Sequence, residues 1–180
     1  LDLEDILTSA LDVVLRMMNL RGGWILLSDG DALEHHPVIT RGLPENVALA
    51  QVQCAWSRSM RREVLTSGKP RFFPDIEAYP CPAERHFQDP VGTAALPQTL
   101  EPPCAAAQYL HQGGLAFRAC IPLKSKDRVL GVMSLVGDAR NEKQELGPEA
   151  VAMLTAIGRQ IGVAVENARL YQQIREKETL

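Results

Sequence analysis

No apolar run in this chain of 180 residues approaches the roughly 20 needed to span a bilayer, and no secretory leader pattern stands at its front. Neither Gly-x-Gly-x-x-Gly nor Gly-x-x-x-x-Gly-Lys-Ser/Thr occurs, so no glycine loop is available to cradle nucleotide phosphates. The four cysteines contain no Cys-x-x-Cys pair, and they are too few to read as a disulfide scaffold. That usage fits a reducing, cytoplasmic compartment. A formal net charge of -3 gives no broad electrostatic attraction to nucleic acid or to an anionic membrane surface. What is present suits a single globular domain: 46% hydrophobic and 23% charged residues, enough for one substantial core. No internal repeat or low-complexity tract interrupts it.

The patterning places the elements. Leu3, Leu7, Leu11, Val14 and Met18 predict an amphipathic N-terminal helix, with Asp2, Glu4 and Asp5 at the dipole end that favours them. Asn19 to Gly23 breaks it. Trp24 to Leu27 reads as a strand, Ser28 to Asp31 as a turn, and His35 to Thr40 as an edge partner interrupted by Pro37. Leu43-Pro44-Glu45 opens a short helix, Ala55 to Thr66 forms another, and Arg71 to Phe73 a short strand. Around Ile121-Pro122-Leu123 and Val129 to Val136, two apolar strands flank the polar turn Lys124 to Arg128. Gly147-Pro148-Glu149 opens a last helix, with proline suited to its first position. Its apolar residues Leu154, Ile157, Ile161, Ala164, Ala168 and Tyr171 recur at three-four spacing. Neither a glycine cap nor a proline stop ends it, so at 1.5 Å per residue it would run about 50 Å. A compact domain of this size is roughly 40 Å across. The helix is therefore expected to overhang its domain as a connector in a longer protein, the alternative being a frayed terminal helix, and the start at Leu1 is read as that of an excised piece.

Several side chains have chemistry to offer. Cys54, Cys81, Cys104 and Cys120 would together supply four soft ligands for zinc or an iron–sulfur cluster; the alternative is buried or idle thiols. Cys81 and His86, with Arg85 between them, are a candidate reactive pair, but no positioned base or oxyanion site can be read beside them. His35 and His36 would point to opposite faces of a strand and chelate poorly. Arg58, Arg61 and Arg62 on one helix suggest either an anion site or, as the preferred reading, a solvated face. The proline-rich segment 79–112 has no sustained period, which predicts a functional loop or an idle surface insertion.

Gly113-Gly114-Leu115-Ala116-Phe117-Arg118-Ala119-Cys120-Ile121-Pro122-Leu123, followed by Val129-Leu130-Gly131-Val132-Met133-Ser134-Leu135, resembles the second half of a GAF domain. The run from Leu154 to Tyr171 is similar to the exit helix of GAF domains that precede the kinase core of bacterial sensor histidine kinases. Gly68-Lys69-Pro70 and Phe73-Pro74-Asp75 fit the first half more loosely.

The resemblance implies an α+β fold over residues 1–180: a central antiparallel sheet, the N-terminal helix (1–20) and exit helix (147–180) packed on one face, and a ligand pocket on the other beneath the loop 79–112. It implies a non-catalytic sensory domain that binds a small ligand or senses redox state and relays it to a C-terminal output, a histidine kinase. The ligand-binding residues expected are Phe73, Asp75, Tyr79, Tyr109, His111 and Arg118. No cofactor is favoured, although some kinase-linked relatives use cysteines for redox-active iron and Cys81 sits near one such position. Expected partners are a second copy, through the N-terminal and exit helices, and an unidentified small molecule, without nucleic acid or membrane contact. The alternative is a structural dimerisation module with an empty pocket. Leu146 and Ala150-Val151 stand where cyclic-nucleotide-binding relatives carry Phe and an acidic pair. No Cys-His dipeptide resembles a bilin attachment site, and no phosphoacceptor histidine segment is present.

Overall fold

The computed structural model describes residues 2–29, 32–33, 37–53, 55–73, 115–138 and 147–179. Helix α1 spans Leu3–Met17, with Glu4 and Asp5 in its first turn and Arg16 in its last. It buries Leu7, Leu11, Val14 and Leu15. Its end is built by Asn19, which takes a left-handed φ of 52°. Leu20 N–H then donates to Leu15 O and Asn19 N–H to Arg16 O, which satisfies carbonyls left over by the helix.

Strand β1 (Gly22–Asp29) begins two residues before the apolar run at Trp24 because its glycines allow close approach: a Cβ on Gly23 would sit 2.6 Å from Ser134 O. Of the expected partner strand His35 to Thr40, only Pro37 onward lies among the described residues. β2 is Ala32–Leu33 and β3 is Ile39–Arg41, both antiparallel to β1. Helices α2 (Glu45–Gln53) and α3 (Ala55–Ser67) follow, then β4 (Arg71–Phe73). The long hairpin β5 (Leu115–Ser125) and β6 (Arg128–Asp138) supplies the centre of a sheet ordered β2-β1-β6-β5-β4, with β3 beside β1. The expected insertion 79–112 lies outside the described residues.

Alternation along the central strands makes two cores. Ile25, Phe117, Ile121, Leu123, Met133 and Leu135 face α1 and the last helix; Trp24, Leu26, Cys120, Val132 and Val136 face α2 and α3. Bulges between Leu115 and Phe117 and between Leu123 and Lys124 shift this register. They account for Leu115 and Leu130 lying on the faces opposite to strict alternation.

Helix α4 spans Pro148–Glu178, with Gly147 as N-cap and Pro148 in the first turn. Its 31 residues measure about 46 Å. The stripe that meets the sheet is Leu154, Gly158, Ile161, Gly162 and Val165. This corrects the face drawn from spacing alone: Tyr171, placed on the same stripe as Leu154 and Ile161, is 68% exposed, whereas Ile161 is a core residue at 4%. Beyond Val165 the sheet contacts are polar, Ser125 Oγ donating to the Glu166 carboxylate and Arg169 Nη2 to Ser28 O, and past Arg169 the helix presents Leu170, Tyr171 and Ile174 to solvent. No helix among the described residues is long and apolar enough to cross a membrane.

Candidate functional site

The site is assembled on the α2–α3 side of the sheet. Ala48, Gln51 and Val52 on α2, and Ser57, Met60, Arg61 and Val64 on α3, are buried at helical three-four spacing. They roof a floor in which Trp24 lies opposite Ser134, and Ser134 opposite Cys120, in adjacent strands. One row away, Phe73 of β4 lies opposite Arg118 of β5.

Arg118 is fully buried. A guanidinium removed from water costs several kcal/mol unless its donors are used. Here Nη1 donates to Gln51 Oε1 at 2.7 Å, and Nη2 to Ser57 Oγ at 2.5 Å. The cation lies over the Trp24 ring, 4.6 Å from its centroid, where the ring's negative face offsets part of the cost. Arg61 is the second buried guanidinium, 7% exposed, with Nη2 donating to Val52 O at 2.7 Å. The indole Nε1 of Trp24 is buried without a hydrogen-bond partner among the described residues.

Cys120 is fully buried on the same face and feels the charge of both cations. Burial pushes its thiol up to about 11, against the opposing pull of Arg118, the Ser134 hydroxyl and Arg61. At neutral pH it is therefore a protonated thiol with little nucleophilic character. No group of three or more His, Cys, Asp or Glu side chains among the described residues is placed to hold a metal ion. The arrangement offers hydrogen-bond donors and an aromatic face, which are means of binding.

Of the six expected ligand-binding residues, the fold brings Phe73 and Arg118 together as cross-strand neighbours. Asp75, Tyr79, Tyr109 and His111 lie outside the described residues, as do Cys54, Cys81, Cys104, His35, His36 and the Cys81–His86 pair. The solvated-face reading holds for Arg58 and Arg62 but not for Arg61, which the fold turns inward. Sequence reasoning missed Trp24, Gln51 and Ser57, and weighed Arg61 as part of a possible anion site but preferred a solvated face for it. The stripe Ser57, Met60, Arg61, Val64 was the available signal, since its two apolar members fix the face that the polar pair shares.

On the opposite side, α1 and α4 enclose a groove of about 830 Å³ lined by Leu3, Ile6, Ala164, Ala168, Tyr171 and Arg175, among others. Val13, Met17, Val163, Leu170 and Ile174 are exposed apolar residues on the same two helices.

A family model described as GAF domain matches residues 1–166. Among curated proteins none matches the chain. Solved structures similar to it include a domain assigned to a two-component sensor histidine kinase protein of Sinorhizobium meliloti 1021, at 17% identity and TM-score 0.62, covering 97% of this chain and 98% of that one. The GAF domain of a two-component sensor histidine kinase from Bacillus halodurans aligns at 16% identity and TM-score 0.58, over 95% and 98%. A GAF domain of Synechocystis in its photoproduct state aligns at 15% identity and TM-score 0.59, over 96% and 99%. At these identities the likeness is one of fold.

Proposed function

This chain belongs to the GAF domain family, and from that premise we propose that it is a cytoplasmic sensory domain that binds a small molecule on the α2–α3 side of its sheet. Occupancy is relayed through α4 to an output domain in the parent protein. The kinship in fold with domains from sensor histidine kinases supports a two-component histidine kinase as that output. The domain's part is recognition and relay rather than catalysis.

One observation carries the ligand reading: the floor beneath α2–α3 holds a buried indole donor that no described residue satisfies. Trp24 Nε1 is the donor that points to a ligand with acceptor atoms, since it is buried with no acceptor among the described residues, beside the guanidinium groups of Arg118 and Arg61 that make the floor electropositive. Burying such a donor unmet costs about 1–3 kcal/mol, which a ligand oxygen would recover. Phe73 supplies an apolar wall beside Arg118. Asp75, Tyr79, Tyr109 and His111 complete the proposed set.

A second reading, a dimerisation module with an empty pocket, is favoured by the exposed Val13, Met17, Val163, Leu170, Tyr171 and Ile174 on α1 and α4. A homodimer through these helices is part of both readings. The test is anaerobic purification followed by native mass spectrometry, a visible spectrum and metal analysis. One small molecule retained per chain, and lost in Arg118→Met, is the expected result. Stoichiometric iron or zinc would replace it with a metal held by Cys54, Cys81, Cys104 and Cys120. A bare chain that no compound stabilises in a thermal-shift screen would leave the dimerisation module.

A further inference from the structure

Helices α2 and α3 form one mechanical unit. Arg61 of α3 donates to the carbonyl of Val52 in the last turn of α2, closing the corner between them. That unit is fastened to β5 by Arg118, whose two terminal nitrogens reach one residue on each helix, Gln51 and Ser57.

Further along the same strand, the opposite face seats α4. A Cβ on Gly158 would lie 2.5 Å from Pro122 O, and one on Gly162 would overlap the backbone of Lys124, so both glycines rest directly on the β5 main chain. Ser125 Oγ donates to the Glu166 carboxylate at the end of this seat. The seat also coincides with the bulge between Leu123 and Lys124. At about 3.3 Å per residue, the fork at Arg118 and the seat at Pro122 to Ser125 are roughly 13–23 Å apart on one strand.

We propose that β5 is the element that couples the α2–α3 pair to the exit helix. A shift of α2–α3 over the sheet carries Arg118, and the strand with it. The glycine seat has no flexible side chain between helix and strand to absorb the displacement, so it passes to the packing of α4. The signalling role of this coupling rests on the relay reading given above. The coupling itself needs no ligand, so it is tested without one.

Native-state hydrogen exchange of the whole chain measures it. Ser57→Ala removes one arm of the fork and leaves the other on Gln51, a change mild enough to preserve folding. The amides of Gly158 to Val165 should lose about five-fold or more of their protection relative to those of β6 in the same protein, a ratio that cancels global destabilisation. Five-fold is the lower end of the usual range for coupled sites. Coupling is reciprocal, so Ser125→Ala should loosen Met60 to Val64 by a comparable factor against β6. Val132→Ala, a void on the same face but on β6, should leave the α4 ratio within about two-fold (the spread expected without coupling is well under the five-fold threshold). The route through β5 is wrong if the two serine variants leave these ratios unchanged or lower protection uniformly, or if Val132→Ala loosens α4 as much as Ser57→Ala. None of these outcomes bears on whether a small molecule binds, so the ligand reading stands or falls separately.

Discussion

Replacing glycine by alanine inside a helix ordinarily stabilises it by about 1 kcal/mol, because alanine leaves less backbone freedom to lose. At Gly162 the expected sign is reversed. The added methyl would fall on the O, C and N atoms of Lys124, which belong to backbone and not to a side chain that can swing away. Lys124 is paired with Val129 across the hairpin, so retreat of the strand strains ladder bonds worth about 1 kcal/mol each. Retreat of the helix instead opens gaps around Leu154, Ile161 and Val165, all buried. Overpacking of this kind costs about 1–3 kcal/mol, at the upper end where backbone is struck. Setting 3 against 1 leaves Gly162→Ala about 2 kcal/mol less stable than the parent. Gly158→Ala, where the nearest atoms are Pro122 O at 2.5 Å and Ile121 Cγ2 at 3.0 Å, should lose about 1 kcal/mol. Gly147→Ser is the control: nothing lies within 4 Å of its Cβ position, and serine is a good N-cap, so it should gain a few tenths. Urea unfolding followed by circular dichroism measures all three, with a midpoint about 1 M lower expected for Gly162→Ala at an m-value of about 2 kcal/mol/M. If Gly162→Ala were as stable as the parent or more so, α4 would not rest on β5 as described, and the coupling inferred from that seat would fall with it.

Arg118→Met strips a donor from Gln51 and from Ser57 but also removes a buried charge, so a net loss of about 2 kcal/mol, or roughly 4–8 °C in Tm, is expected, with Arg118→Lys recovering part of it. Ile161→Asp places a carboxylate in the core and should unfold the domain by circular dichroism. Ile174→Asp, at a 55% exposed position, should keep the fold and raise the dimer dissociation constant about ten-fold by light scattering, since about 1.4 kcal/mol of apolar contact is lost; an unchanged constant would remove this face of α4 from the dimer. Cys120 gives a pH dependence with a definite sign: its folded pKa, about 11, lies above the ordinary 9.0, so the unfolded thiol ionises first. Stability should fall between pH 9 and 11 by up to about 3 kcal/mol more in the parent than in Cys120→Ala, compared by urea unfolding across that range. Below pH 9 the two should run parallel, and the native thiol should resist thiol reagents at pH 7.5.

Much of the architecture was legible because it is written in local rules. The α1 stripe, the β5–β6 hairpin and the Gly147-Pro148-Glu149 helix start depend on periodicity, turn residues and capping, all of which act within a few residues. The family likeness followed from the β5–β6 hairpin and the run from Leu154 to Tyr171, with a looser fit at Gly68-Lys69-Pro70 and Phe73-Pro74-Asp75. Phe73 and Arg118 were named as ligand-site residues from that likeness alone. Their adjacency is a matter of strand pairing across 45 positions of chain, with Phe73 opposite Arg118 in the β4–β5 register.

What the tertiary structure decided were the questions in which two distant segments compete for one surface. Periodicity made Ile157, Ala164 and Tyr171 as good candidates for the inner face of α4 as Leu154 and Ile161, because the ridge that meets a sheet depends on the sheet. Packing chose the line through Gly158 and Gly162, where the absence of side chains lets the helix reach the β5 main chain. An arginine beside Arg62 and Glu63 reads as solvated; Arg61 is buried because Met60 and Val64 hold that side of α3 against the floor and the carbonyl of Val52 lies within its reach. Local sequence determined which elements form and which residues could be apolar seams. Only the packed fold determined which polar groups are taken out of water, because desolvation depends on everything that closes over a residue and not on its neighbours in the chain.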